Sequence, residues 1–367
     1  MISGNAPPIH CGIGDYTANL LAAMHKVTDR FDPVWLSRKE RWFSSPMGRH
    51  RGIALRRPWH KWEAQGTTLA SCYLKWKKPD LVHLQEEYFS YMEGDASLQL
   101  ARKTRCPLVA TLHAYHLKDD IACQTKKVLD NASRVICSDH RTANRLLDAT
   151  GRKSDLVGWC SSPVIPRAFN SEQTSGPPSF ATFGFVHPGK MNFHVIYDAC
   201  RGLNERKSGI EWKIIGPISP KTNPQHAKLL SELRAPWLEF SGRVNDLNEK
   251  AFHERLASMT AMLLPFRNHE SSNGTAPSRS SLQIAWAFGL PVIASEPTNE
   301  EPDLKDGENC LLVKEDEPDA WADAIEKLLH DQSLREALRK GSLESARLFG
   351  WDRLAEEHVK LYNQTLS

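Results

Sequence analysis

The sequence predicts an α/β protein of two doubly wound domains, and three observations carry that prediction. Short apolar runs alternate with amphipathic helical runs along the whole chain. Most of the apolar runs lack polar alternation, as strands do in a parallel sheet covered on both faces. One stretch near the middle, SSPVIPRAFNSEQTSGPPS (161–179), is rich in Pro, Ser and Gly and interrupts the pattern. A length of 367 residues suffices for two full cores. The expected division is residues 1–165, residues 166–348 and a last helix over 349–367.

The elements follow in order. A doubly wound domain opens with a strand before its first glycine turn. The opening MISG leaves almost no room for one, so the first strand is a stub or the start lies upstream. CGIGDY (11–16) forms the turn before a helical stretch, GDYTANLLAAMHKV. The first-half strands are DPVWLSR (32–38), DLVHLQ (80–85), PLVATLHAY (107–115), RVICSD (134–139) and DLVGW (155–159). In the second half FATFGFV (180–186) precedes the helical HVIYDACRGLNERK. EWKIIGP (211–217), LEFSGRV (238–244) and AMLLPF (261–266) follow. A helix is expected over about 279–288, then strands PVIAS (291–295) and CLLV (310–313). The tail is helical: EPDAWADAIEKLLHD, QSLREALRKGSLESARLF and WDRLAEEHVKLYNQTL.

Composition narrows the class. Hydrophobic residues make up 40% and charged residues 25%, ordinary for a globular protein. No apolar run approaches the ~20 residues of a membrane span. The N-terminal stretch lacks the basic flank and apolar core of a signal peptide. The eight cysteines are scattered without a C-x-x-C pair, which argues against zinc or thioredoxin-type chemistry and for reduced cysteines in a cytosolic protein. The glycosylation-like sequons at Asn131, Asn273 and Asn363 are then incidental. The net charge of +3 hides an asymmetry: residues 1–165 hold 24 Lys+Arg against 16 Asp+Glu, and residues 166–367 hold 23 against 28. A basic first half and an acidic second half suit domains with different partners.

Ligands of open α/β sheets bind at the carboxyl ends of the strands, so the turns just after strands hold the candidates. In CGIGDY, Gly12 and Gly14 permit close backbone approach and the following helix N-terminus favours an anion; a tight turn needing glycine is the alternative. In GFVHPGKM (184–191), Lys190 falls at a helix start. A cation there opposes the helix dipole unless an anion binds between the two. In NGTAPSRSSL (273–282), Asn273, Gly274, Thr275, Ser278, Ser280 and Ser281 form a small polar loop ahead of a helix, with backbone N–H groups converging there. Arg279 supplies a bidentate clamp for a phosphate. Two loops after two different strands thus suggest a diphosphate site without the G-x-G-x-x-G turn of the dinucleotide fold. His113 and His116 have a metal-like spacing, but on a strand end residues three apart point to opposite faces, so no metal is expected.

The order FGFVHPGK, WKIIGP, LEFSGRV, LLPF, AWAFGLPVIAS and LKDGENCLLV resembles the donor domain of retaining glycosyltransferases of the GT-B fold and family-4 type, the glycosyl transferases group 1. PPIHCGIGDYTANLL, PDLVHLQEE, VATLHAYH and SRVICSD are similar to its first domain. The resemblance implies two Rossmann-like domains facing across a cleft. It puts a nucleotide-diphosphate sugar in the second domain, the acceptor in the first, and a last helix crossing back to the first. Lys190 matches the family's phosphate-binding lysine, Gly12 and Gly14 its glycine turn, and His113 a histidine near the donor sugar. The family's E-x7-E pair falls at Ala276 and Ile284 and is absent. NGTAPSRSSL looks like the Gly-Ser-Arg-Ser loop of a divergent subset, leaving Asn273, Glu270 or the serines for sugar and ribose hydroxyls. Phe185 stands where the family often has an arginine.

The resemblance implies a metal-independent glycosyltransferase of polysaccharide biosynthesis. It would use a nucleotide-diphosphate sugar as co-substrate, no cofactor, and a glycan or glycolipid as acceptor. Two other readings stay open: a nucleotide-sugar epimerase on the same fold, and a non-catalytic member that binds a nucleotide-sugar or a partner subunit. One further feature bears on partners. RKERWFSSPMGRHRGIALRRPWHKW (38–62) carries eight Lys/Arg and one acid, interleaved with Trp42, Phe43, Trp59 and Trp62. Such an arm suits an anionic membrane surface, placing the protein peripherally at the inner membrane face, or an anionic acceptor. A solvated loop is the plain alternative, and nucleic acid the least expected partner.

Overall fold

A computed structural model of the chain describes residues 1–6, 11–38, 47–57, 64–87, 96–158, 176–242, 244, 250–267, 279–296 and 303–367. The chain divides into two compact units, one of residues 1–161 with 350–367 and one of residues 162–272 with 277–349.

The first unit runs α1 (Gly12–Val27), β1 (Val34–Leu36), β2 (Met47–His50), β3 (Ile53–Arg56), α2 (Ala64–Lys77), β4 (Val82–Glu86), α3 (Ala96–Lys103), β5 (Leu108–Leu112), α4 (Asp119–Leu129), β6 (Arg134–Cys137), α5 (His140–Thr150) and β7 (Asp155–Leu156). Strands β4, β5, β6 and β7 lie side by side, all parallel, and β1, β3 and β2 form a second group. Ile2 joins the groups as a single rung between Leu36 and Leu84. Its N–H donates to the His83 carbonyl at 2.8 Å, and its own carbonyl accepts from Gln85 N–H at 2.9 Å. Among the described residues the opening strand is this single rung.

The segment 38–62, read from its charge as an arm or loop, contains a hairpin. β2 pairs antiparallel with β3, which runs parallel to β1. The turn residues Arg51 and Gly52 both have positive φ (49° and 84°), as the twist of a two-residue hairpin demands. The other residues of that segment, 39–46 and 58–62, lie outside the described residues.

The unit is closed by α12 (Trp351–Leu366). Buried Leu354, Ala355, Leu361 and Tyr362 recur at helical spacing and pack on Tyr16, Leu20, Ala23 and Met24 of α1.

The second unit runs β8 (Ser179–Phe183), α6 (Phe193–Glu205), β9 (Glu211–Ile215), α7 (Pro224–Glu232), β10 (Leu238–Gly242), α8 (Lys250–Ala257), β11 (Ala261–Leu264), α9 (Arg279–Ala287), β12 (Val292–Ser295), β13 (Leu311–Val313), α10 (Pro318–His330) and α11 (Gln332–Leu348). Its six strands are all parallel, in the order β10-β9-β8-β11-β12-β13. β8, β11 and β12 are buried at every residue, which explains their unalternated apolar runs. Three core tryptophans keep their indole N–H satisfied: Trp212 on Thr182 Oγ1, Trp286 on the Asn309 carbonyl and Trp321 on the Lys314 carbonyl. The chain winds outward from β8 through β9 to β10, then returns to β11 on the other side of β8. The winding therefore reverses between β8 and β11.

Candidate functional site

A reversal of winding leaves the two loops at that point diverging, and their carboxyl-end crevice is where open α/β sheets bind ligands. In the second unit those loops follow β8 and β11. β8 ends at Phe183, and Gly184 continues at φ 127°, a backbone closed to side-chain-bearing residues. A Cβ on Gly184 would lie 2.6 Å from Ser281 Oγ, in the first turn of α9. A Cβ on Gly216, just after β9, would lie 1.9 Å from the Gly184 carbonyl oxygen. Three segments thus meet here with no room for a methyl group.

Past the exposed Phe185, the chain turns at His187, whose carbonyl accepts from Lys190 N–H at 2.8 Å and Met191 N–H at 3.0 Å. The turn is sewn to the stretch after β11. Asn192 N–H donates to the Pro265 carbonyl at 2.7 Å, and Arg267 N–H to the Lys190 carbonyl at 2.8 Å. Lys190 is half-buried and sits two residues before Asn192, the N-cap of α6, rather than in the helix itself. Partial burial, and then the charge of Lys190, hold the His187 imidazole below its usual pKa. The turn is therefore an electropositive place beside a helix N-terminus, suited to an anion.

His226 braces it from behind. Its Nδ1 accepts from Ser219 N–H at 3.0 Å and its Nε2–H donates to the Val186 carbonyl at 2.7 Å, tying the loops after β9 and β8 together. Neither His226 nor Arg267 announces itself in the sequence, since Val186, bonded by His226, lies 40 residues away and Lys190, bonded by Arg267, lies 77 away.

Arg279 opens α9 and Ser280 and Ser281 complete its first turn, with Ser281 fully buried against the Gly184 segment. Ile284, at the position of the absent carboxylate, is buried in the core at 1% exposure. Glu270, Asn273, Gly274, Thr275 and Ser278 lie outside the described residues. The structure thus brings Lys190 and Ser281 to one edge of one sheet.

In the first unit the reversal falls between Ile2 and β4, and the candidates there are Gly12, Gly14 and His113. Both glycines lie inside the first turn of α1 rather than ahead of the helix. A Cβ on Gly14 would meet the Asn5 carbonyl oxygen at 2.9 Å, so the chain's own backbone occupies that approach; none of the described atoms lies within 4 Å of a Cβ on Gly12. His113 follows β5. Its N–H donates to the Glu86 carbonyl at 3.0 Å and its ring meets Tyr16 of α1 edge-on, with centroids 5.2 Å apart. His113 and the glycine turn are therefore neighbours.

The residue is half-buried but its ring nitrogen is enclosed, and burial pushes its pKa down to about 3 against an opposing pull from Glu87. At neutral pH it is an uncharged imidazole, able to donate or accept but not to supply positive charge. His116 Nε2 pairs with Glu87 Oε1 at 3.3 Å. Glu86, unremarked in the sequence, is fully buried. Its pKa is raised to about 8 by burial, despite a hydrogen bond from Ser97 at 3.3 Å, and Oε2 has no hydrogen-bond partner among the described residues. No helix among the described residues is long and apolar enough to cross a membrane.

Known proteins supply the last observations. The family model for glycosyl transferases group 1 matches residues 177–331. A D-inositol 3-phosphate glycosyltransferase of Paenarthrobacter aurescens is 23% identical over 307 residues, 76% of this chain and 72% of that protein. Shorter matches to proteins of the same description span about a fifth of their length, 18% in one from Nocardioides sp.. Among solved structures, a sucrose-phosphate synthase from Thermosynechococcus elongatus superposes with a TM-score of 0.78 at 18% identity, over 99% of this chain and 97% of that one. Alr3699/HepE of Anabaena, solved in complex with UDP and glucose, superposes with a TM-score of 0.70 at 14% identity, over 99% and 98%. The fold is accordingly GT-B, with two Rossmann-like domains.

Proposed function

We propose, taking as premise that residues 177–331 form a glycosyl transferases group 1 domain, that this chain moves a sugar from a nucleotide-diphosphate sugar to a glycan or lipid-linked acceptor, with retention. The observation that carries the reading is the sewn crevice of the second unit. There the Lys190 turn, the entry to the loop after β11 and the first turn of α9 meet where the winding of the sheet reverses.

Lys190, Arg279 and the amides of the first turn of α9 would hold the diphosphate. Their charge and dipoles count most as the sugar–phosphate bond breaks and negative charge gathers on the departing oxygen. The acceptor hydroxyl attacks from the same face and gives its proton to that oxygen, so no protein nucleophile is required. His113, neutral at working pH, would hydrogen-bond a donor-sugar hydroxyl. Glu270 and Asn273 are the candidates for the remaining sugar and ribose hydroxyls, since Ile284 offers none. The reading asks for no metal and no cofactor beyond the co-substrate. The basic segment 38–62 would meet an anionic acceptor or the membrane surface that carries it.

Calorimetry and thermal shift against UDP, GDP, ADP, dTDP and their sugars test it, with Lys190→Ala and Arg279→Ala beside the native chain. The expected result is saturable stabilisation by one nucleotide, weakened at least tenfold in both variants, followed by transfer when an acceptor is supplied. The burial of Ile284 favours a second reading, a chain that binds the nucleotide-sugar without turning it over. Tight binding without transfer or hydrolysis would select that reading. A folded protein that binds none of the nucleotides would remove both.

A further inference from the structure

A buried chain of hydrogen bonds crosses the first unit from α12 to His113. The Tyr362 hydroxyl on α12 meets His83 Nδ1 on β4. His83 Nε2 lies 2.7 Å from Thr111 Oγ1 and 3.2 Å from one end of the Gln85 amide. The other end of that amide lies 2.8 Å from His113 Nε2. His83, Gln85 and Thr111 are fully buried, and His358, one turn before Tyr362, packs its ring 5.7 Å from that of His83. Burial holds the pKa of His83 well below the ordinary histidine value and that of His358 at about 4, and lifts that of Tyr362 well above the phenol value. Near neutral pH every member is therefore uncharged.

An uncharged imidazole carries one proton, on one nitrogen or the other, and in a continuous chain these choices are linked. A phenol donates a hydrogen bond more readily than it accepts one, so Tyr362 gives its proton to His83 Nδ1. His83 must then carry its own proton on Nε2, facing Thr111 and Gln85. Thr111 Oγ1 accepts that N–H at 2.7 Å, and a Gln85 amide that also turns its oxygen to it presents its NH2 to His113. His113 Nε2 then accepts, and its proton rests on Nδ1. The coordinates place Oε1 toward His113 and Nε2 3.5 Å from Met1 Sδ; the two ends of the amide have nearly the same shape, and exchanging them gives up only that weak bond to sulfur. The proton of Tyr362 thus biases the direction of the chain, and the Gln85 amide passes it on to His113.

We propose that Tyr362, acting through His83 and Gln85, sets which ring nitrogen of His113 carries the proton. Tyr362 is then a positioning residue, and α12 orders a side chain at the opposite end of the first unit's strands. The proposal uses the reading of His113 as a sugar contact only for its consequence in turnover. The tautomer is measured without any substrate.

Long-range proton–nitrogen NMR spectra of the full chain labelled at histidine test it, with His113→Gln used for assignment. The native protein should show His113 protonated on Nδ1. Tyr362→Phe, which keeps the ring and its packing, should move that proton to Nε2 or split the signal between the two forms. Gln85→Met, close in volume, should do the same and serves if the tyrosine variant misfolds. His113 protonated on Nε2 in the native chain, or unchanged in a folded Tyr362→Phe, overturns the proposal. With a donor in hand, Tyr362→Phe should lower kcat by about tenfold and leave KM for the donor unchanged. A tautomer shift with kcat unaffected would instead refute the role of His113 under the functional reading.

Discussion

At the scale of single residues, the crevice of the second unit rests on positions where one atom decides. Gly184 takes φ 127° and faces Ser281 Oγ at a distance no Cβ tolerates. Gly184→Ala should therefore destabilise the protein by roughly 1–3 kcal/mol. Adding Ser281→Gly should recover only the part due to contact, because the backbone strain remains. Urea melts of the single and double variants separate the two parts, and complete recovery would show that the φ value carries no strain. The sequence makes Lys190 a candidate because it follows an apolar strand close to a helix start, where a cation is misplaced unless something negative joins it; the structure sets it two residues ahead of the N-cap Asn192. His113 is a candidate on other grounds: it ends β5, and it matches a histidine of the family. Gly14 reads as an approach for a ligand, and the structure adds a packing reason for it, the Asn5 backbone 2.9 Å from where a Cβ would sit; a glycine's neighbour cannot be identified from the glycine alone.

Elements show a different pattern of success. The parallel strands of the second unit were readable because burial on both faces leaves uninterrupted apolar runs. The β2–β3 hairpin was not, because its arginines dominated the reading of 38–62 and Arg51-Gly52 is a weaker turn signal than Asn-Gly. Ile2 could not be recognised as a strand because one rung has no period. The brace between the loops after β8 and β9 also escaped, since nothing in PQHA marks His226 as bonding two backbones. His226→Ala would leave the Val186 carbonyl and Ser219 N–H without that partner, costing about 1–2 kcal/mol locally. We expect it to weaken nucleotide binding several-fold and raise hydrogen exchange at Ser219, with the overall fold kept. Unchanged exchange there would mean the brace is idle.

For the whole molecule, the buried groups of the first unit make stability depend on pH. His83, His113 and His358 have folded pKa values depressed below the unfolded 6.5. Between about pH 4 and 6.5 the unfolded chain binds protons that the folded chain refuses, so their contribution is present above 6.5 and is lost as the pH falls. Glu86 is shifted the other way, from 4.5 to about 8. The folded chain keeps that proton while the unfolded chain releases it, so its contribution declines as the pH rises from 4.5 to 8. Stability should therefore climb steeply from pH 4.5 to about 6.5, by roughly 2–3 kcal/mol per unit, and level off beyond, where the buried Met1 amine, lowered from 8.0 to about 5, offsets Glu86. Scanning calorimetry across that range checks the shape, and Glu86→Gln should let stability keep rising to about pH 8, because the Met1 amine then titrates there unopposed. A profile level between pH 4.5 and 6.5 would mean that the three imidazoles titrate as they do in water.

The return of α12 to the first unit has a consequence in time. A ribosome emits residues 1–161 first, then the whole of the second unit, and only then the helix that covers Tyr16, Leu20 and Met24. At ordinary rates of synthesis the intervening stretch takes roughly 10–40 s. Throughout that interval the nascent first half has an uncovered apolar face, while the second half can complete its own core on emergence. The part of the chain made first is therefore the part finished last.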